Sequence, residues 1–253
     1  MPFLDHLEEL RWRLIWCLGA LLAGCAVGLA VLLAYHEPVL LWLQGPILPY
    51  LHGRRLTNTH PGAGMSILVS VAFVVGILIA LPVIVQQLWA FLSPALRRSE
   101  KRTIVPVAIG AVFLYVCGAA LAWFLVLPMT LRFLTGIGES AFDQLISARE
   151  YFGFALTLVL LTGAVFELPM VILVLSVLGL AHPRYLRRWR RHAAVGAFVA
   201  AALVVPGDVG ISVIVLAMLL YLLYEASIGL SQLVVWRRER RAAALETMEA
   251  SGA

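Results

Sequence analysis

Charge is scarce in this 253-residue chain: Asp, Glu, Lys and Arg together make up 13% of it, against about a quarter in soluble domains. With 62% apolar residues and a mean hydropathy of +0.95, such a chain reads as an integral membrane protein. Lysine occurs once, at Lys101, so a glycine-rich phosphate loop with its following lysine is excluded, and ATP hydrolysis by that device with it. Cys17, Cys25 and Cys117 all lie inside apolar runs, where they read as small packing residues. The six histidines are scattered without zinc-protease spacing or a Cys/His cluster, and Gly-x-Ser-x-Gly is absent. No metal site, no cofactor and no enzymatic activity are therefore expected. Internal repeats of the kind that build inverted-repeat carriers are missing as well.

What the chain has is long apolar runs, measured against the roughly 20 residues a helix needs to cross the hydrocarbon layer. They predict an all-α integral membrane protein with six transmembrane helices at about 14–35, 66–90, 103–128, 151–180, 192–206 and 209–226. The last two are short: Ala193 to Val205 and Ile211 to Leu223 are uncharged runs too brief to cross fully, joined by Pro206-Gly207-Asp208. Residues 1–236 are expected to form a single membrane domain, and 237–253 a frayed polar tail.

Arginine sets the orientation. Fifteen basic residues fall on one set of connecting segments, around Arg11, Arg97, Arg187 and Arg238, and only Arg54, Arg55, Arg132 and Arg149 on the other. By the positive-inside rule both termini are cytoplasmic, and the basic charge marks a membrane surface rather than a nucleic-acid site. Without a basic n-region or a small-residue cleavage site, the first run reads as a retained helix, and without a transit peptide the expected location is a prokaryotic inner membrane.

Against this basic rim, acids stand out. Phe3, Leu7, Leu10 and Leu14 recur at helical spacing while Glu8, Glu9 and Arg13 take other faces, giving an amphipathic lead into the first span. Glu9 could pair with Arg13 at i,i+4 and Glu8 with Arg11 at i,i+3, or Glu9 could be held out for an external cation; the sequence leaves both readings open. After the second span, Ser93 can cap and Pro94 can open a short helix that carries Arg97, Arg98 and Glu100, while Trp89 and Phe91 suit an interfacial belt. Topology alone puts Glu9 and Glu100 on the same side of the membrane. In the fourth span Glu167 is an intramembrane carboxylate, which costs about 2.5–3.5 kcal/mol to insert and is functional by default. Its expected internal partner is Gln87 or Gln86, and Pro169 beside it implies a kink.

His6 to Arg11, Trp89-Ala90-Phe91-Leu92-Ser93-Pro94-Ala95-Leu96 with Glu100, Phe166-Glu167-Leu168-Pro169 and Pro206-Gly207-Asp208 occur in one order over about residues 3–236. In this the chain resembles the TatC family, the multi-spanning subunit of the twin-arginine protein translocase. The resemblance implies a fold with a concave face in the membrane and a receptor for signal peptides with paired arginines, serving export of folded proteins driven by the proton-motive force. It implies a signal-peptide site at Glu9, Glu100, Glu8, Arg11, Phe91, Pro94 and Leu96, since a guanidinium fork matches carboxylate as lysine does not. The intramembrane polar and partner-docking set is expected to comprise Glu167, Gln87, Asp208 and Ser212, and the resemblance implies a first external loop marked by Pro46 that caps the outer face. The implied partners are small single-span subunits of the TatA and TatB type, assembled with further copies of this chain in membrane lipid. Gly207 and Ser212 depart from the family pattern, which often has proline and glutamine there. Gly24 and Gly28 read as internal packing or as a partner contact. An alternative from another class is a proton-coupled small-solute transporter using Glu167, although such a carrier would concentrate polar groups at mid-membrane on several spans.

Overall fold

Lipid offers the backbone no hydrogen bonds, so a chain built of apolar runs must satisfy its amides within helices. The computed structural model describes residues 2–51, 53–92, 104–137, 145–177, 179, 181, 183–205 and 210–251. Among them every element is helical apart from one isolated bridge between Thr57 and Ser147. In order they are α1 (Pro2–Leu43), a 3-10 turn (Gly45–Tyr50), α2 (Ala63–Leu92), α3 (Ile104–Leu121), α4 (Leu127–Gly136), α5 (Ala148–Phe166), α6 (Leu168–Val177), α7 (Pro183–Arg188), α8 (Arg190–Val204) and α9 (Ile211–Ser251).

Prolines explain where these rods bend. Pro38 lacks an amide hydrogen and its ring crowds the carbonyl of Ala34, and α1 kinks beside it at Tyr35, with φ −128° and ψ 33°. Between α3 and α4 the chain widens into a π-helical turn, Ala122–Val126, immediately before Pro128. α5 and α6 form one bent rod, broken at Glu167 two residues ahead of Pro169.

Among the described residues five helical stretches are long and apolar enough to cross a membrane: Leu7–Leu43, Ala63–Leu88, Ala108–Gly136, Ala148–Ser176 and Ile211–Leu233. The remaining apolar helix, α8, has 15 residues and so measures about 22 Å against a layer of about 30 Å. The final helix differs from its expected 209–226 extent, because its apolar stretch continues to Leu233. A short hairpin is nonetheless present within it. The Nη2 of Arg190 lies 2.6 Å from Glu225 Oε2, so this ion pair closes the base of α8 and α9, and α9 from Ile211 to Glu225 is as short as α8. The frayed tail is a correction: α9 stays helical to Ser251. Residues 237–251 contain no glycine or proline and are rich in Arg, Ala and Glu, which all favour helix.

Among the described residues α1 and α2 share the most extensive contact, an antiparallel seam of small residues. A Cβ placed on Gly24 would stand 2.5 Å from the Gly76 carbonyl oxygen, and one on Gly76 would stand 2.6 Å from the Cys25 amide nitrogen. Gly24 and Gly28 thus serve internal packing, with backbones in direct contact as small residues allow in lipid. At the far end, Trp42 stacks on Trp123 with centroids 5.2 Å apart, and the buried Tyr151 hydroxyl donates to the Leu43 carbonyl at 2.7 Å. Thr57 bridges to the start of α5, its amide donating to Ile146 O at 3.0 Å and its carbonyl accepting from Ala148 N at 2.9 Å. Pro46 opens the 3-10 turn there and Ile47 beside it is buried, so the α1–α2 loop is fastened onto α4 and α5.

Candidate functional site

The glycine seam also sets what meets at the arginine-rich end. Gly24 faces Gly76 and Gly28 faces Ala72. Followed about three turns toward the start of α1, the same antiparallel register brings Arg13 level with Gln87 and Glu9 level with Phe91. The side chains agree. Arg13 Nε donates to Glu9 Oε1 at 3.1 Å, Nη2 pairs with the same oxygen, and Nη1 reaches Gln87 Oε1 across a long 3.5 Å. Glu9, Arg13 and Gln87 therefore converge where α1 and α2 meet, and the register sets Phe91 at the same level. The pair is only half-buried, at 33% and 22% exposure for Glu9 and Arg13, so water still reaches it.

Glu8 and Arg11 lie apart from this group. Both are exposed, and no ion pair joins them among the described residues, so the i,i+3 pairing that the spacing allows is not formed; on a solvated face such a pair gains too little to be held. Glu100, Pro94, Leu96 and Asp208 lie outside the described residues.

Glu167 occupies the joint between α5 and α6. Its amide turns back to Ala164 O at 3.2 Å, and its carbonyl restarts the helix by accepting from Val171 N at 3.0 Å. Its Oε1 is buried without a hydrogen-bond partner among the described residues, which at this depth is costly for a carboxylate. Of its two expected partners, Gln86 is exposed and Gln87 is engaged with Arg13 instead, because the register of α1 and α2 directs it to that seam. α3 and α5 close on each other there through glycine: a Cβ on Gly163 would meet the Tyr115 ring at 2.8 Å, and one on Gly118 the Phe166 ring at 2.6 Å. Ser212 is 2% exposed, so its hydroxyl faces the chain's own interior rather than a docking surface. The outward face of α8 is formed by Val195, Phe198, Val199 and Leu203.

Two polar groupings escaped sequence reasoning. One joins α7, α8 and α9: besides Arg190, Glu225 accepts from the Tyr221 hydroxyl at 3.0 Å, and the Tyr224 hydroxyl donates to Leu186 O at 2.8 Å. Its signal was present, since Glu225 is the one charge between Ile211 and Leu233. The other is a buried hydroxyl pair, Ser176 with Ser231 at 2.7 Å, joining α6 to α9, and nothing local in either helix announces it.

Bent apolar rods, a carboxylate at one joint and an acid–arginine–amide group on one charged rim define a polytopic helical membrane protein whose polar chemistry sits at that rim and that joint. The family model for the Sec-independent protein translocase protein (TatC) matches residues 5–218. The chain is 39% identical over 244 residues to the TatC protein of Aquifex aeolicus strain VF5, covering 94% of this chain and 98% of the relative. It is 30% identical to that of Escherichia coli K12, covering 95% and 92%. A crystal structure of the twin arginine translocase receptor TatC superposes with a TM-score of 0.76 at 36% identity, covering 91% of this chain and 99% of the other. A second crystal structure of that receptor, in DDM, gives 0.77 at the same identity, covering 89% and 99%. The chain belongs to the TatC family of Sec-independent protein translocase proteins. With that assignment the solute-transporter alternative falls.

Proposed function

We propose that this chain is the membrane receptor for signal peptides carrying paired arginines and the central subunit of a translocase that exports folded proteins on the proton-motive force. It acts by binding and assembly, without catalysis. Residues 1–236 form its membrane domain in a prokaryotic inner membrane, with the arginine-rich rim and both termini in the cytoplasm, as the excess of basic residues on that side supports. The arriving arginines bind Glu9 and Glu100, flanked by Glu8, Arg11, Phe91, Pro94 and Leu96. Single-span subunits of the TatA and TatB type assemble with it, together with further copies of this chain, and draw on Glu167 and the Asp208 region.

The observation that carries the reading is the environment of Glu9. A half-buried carboxylate sits at the rim end of the α1–α2 seam and already accepts a guanidinium from Arg13, so its surroundings suit the group the guest would offer. Photo-crosslinking tests it. A twin-arginine signal peptide is expected to crosslink to the wild-type chain in native membranes, and Glu9→Gln or Glu100→Gln to reduce that yield about tenfold while a control peptide is unaffected. Undiminished crosslinking in both variants would remove the two acids from the site.

A further inference from the structure

Arg13 uses two of its nitrogens on a single oxygen of Glu9, and its third points across the seam at Gln87. α2 has no charged residue anywhere between Ala63 and Leu92, so Gln87 is a neutral acceptor that can hold a guanidinium without cancelling its charge. We propose that Arg13 is a built-in competitor for the guest, occupying Glu9 in the resting receptor and passing to Gln87 when a signal-peptide arginine takes its place. This rests on the reading of Glu9 as an acceptor of the guest and adds what a guest must displace to reach it.

The physical consequence is that binding becomes an exchange. An arginine that displaces Arg13 restores a planar fork on the carboxylate, so the bonds lost and gained are alike. A lysine restores only a point charge and leaves the exchange short of a bond. Specificity is a difference of affinities, so the cost of displacing Arg13, common to every guest, cancels from the arginine–lysine ratio: the internal rival raises the threshold for all guests, and the fork match at Glu9 sets the preference. Arg13 is placed for this role by its partial exposure, since a fully buried pair could not be exchanged by a peptide arriving from water.

The test measures the affinity of the full chain, in native membranes with its partner subunits, for a twin-arginine signal peptide and its twin-lysine counterpart. Arg13→Gln is expected to tighten the twin-arginine and the twin-lysine peptide alike, about threefold to tenfold, leaving the ratio between them unchanged. Arg13→Lys keeps the charge without the fork and should shift both affinities in the same direction by less. In a Glu9→Gln background the Arg13→Gln gain should vanish, the mark of direct coupling. If Arg13→Gln weakens or leaves unchanged both affinities, Arg13 supports Glu9 rather than competing with the guest. If Arg13→Lys behaves as wild type while Arg13→Gln tightens binding, the effect is bulk charge; either result overturns the proposal and leaves Glu9 as the acceptor. A Glu9→Gln variant that binds as tightly as wild type instead overturns the acceptor reading itself.

Discussion

Single residues in this protein differ in how much of their role their own neighbours in sequence disclose. The Glu9–Arg13 pair is legible from spacing, because residues four apart on a helix share a face. Gln87 is not: whether it serves Glu167 or Arg13 depends on the register of two helices, and that register is set by glycines three turns away. Glu167 is conspicuous in the sequence for being charged in lipid, and the break Pro169 implies lies at that residue. Its buried, unpartnered oxygen carries a testable split between stability and function. Replacing Glu167 by Met removes an unsatisfied polar group at similar volume, so the melting temperature in detergent should hold or rise, corresponding to about 1 kcal/mol. Export of a twin-arginine cargo should fall sharply in the same variant. A lower melting temperature with export retained would make Glu167 a structural residue.

Helices are where the sequence is most informative, and where it misjudged lengths. Existence and order of the apolar helices follow from run length alone, because lipid leaves the backbone no alternative. The extents of α8 and α9 do not, since they depend on a long-range pair, Arg190 with Glu225, that marks the base of the hairpin inside a longer helix. Nor does composition reveal the wide turn at Ala122–Val126, which sets Trp123 against Trp42. The seam of α1 and α2 gives a prediction at this scale. Gly76→Ala would force its methyl against the Cys25 backbone and should destabilise the folded chain by about 1–3 kcal/mol. Gly19→Ala, with open space around it, should leave the melt unchanged. Equal melting temperatures for the two variants would mean that the backbones do not touch.

For the molecule as a whole, sidedness is the property most strongly encoded and least dependent on contacts, since it is read from where arginine falls. Cysteines introduced one at a time on a background lacking Cys17, Cys25 and Cys117 check it. In intact spheroplasts a membrane-impermeant thiol reagent should label Arg55→Cys in the α1–α2 loop and spare Ser251→Cys, which should label only after lysis. The reverse pattern would invert the chain and move Glu9 away from the compartment in which signal peptides are made. Detergent extraction from native membranes should also bring small single-span proteins with the chain.

The seam of α1 and α2 has a consequence in time as well as in space. Glu9, Arg13, Gln87 and Phe91 all belong to the first two helices, which end at Leu92, and the glycines that align them lie within the same stretch. Chains fold from the N-terminus as they are made. The described half of the rim is therefore specified by the earliest part of the chain to be synthesised, while the α8–α9 hairpin closed by Arg190 and Glu225 has to wait for the last.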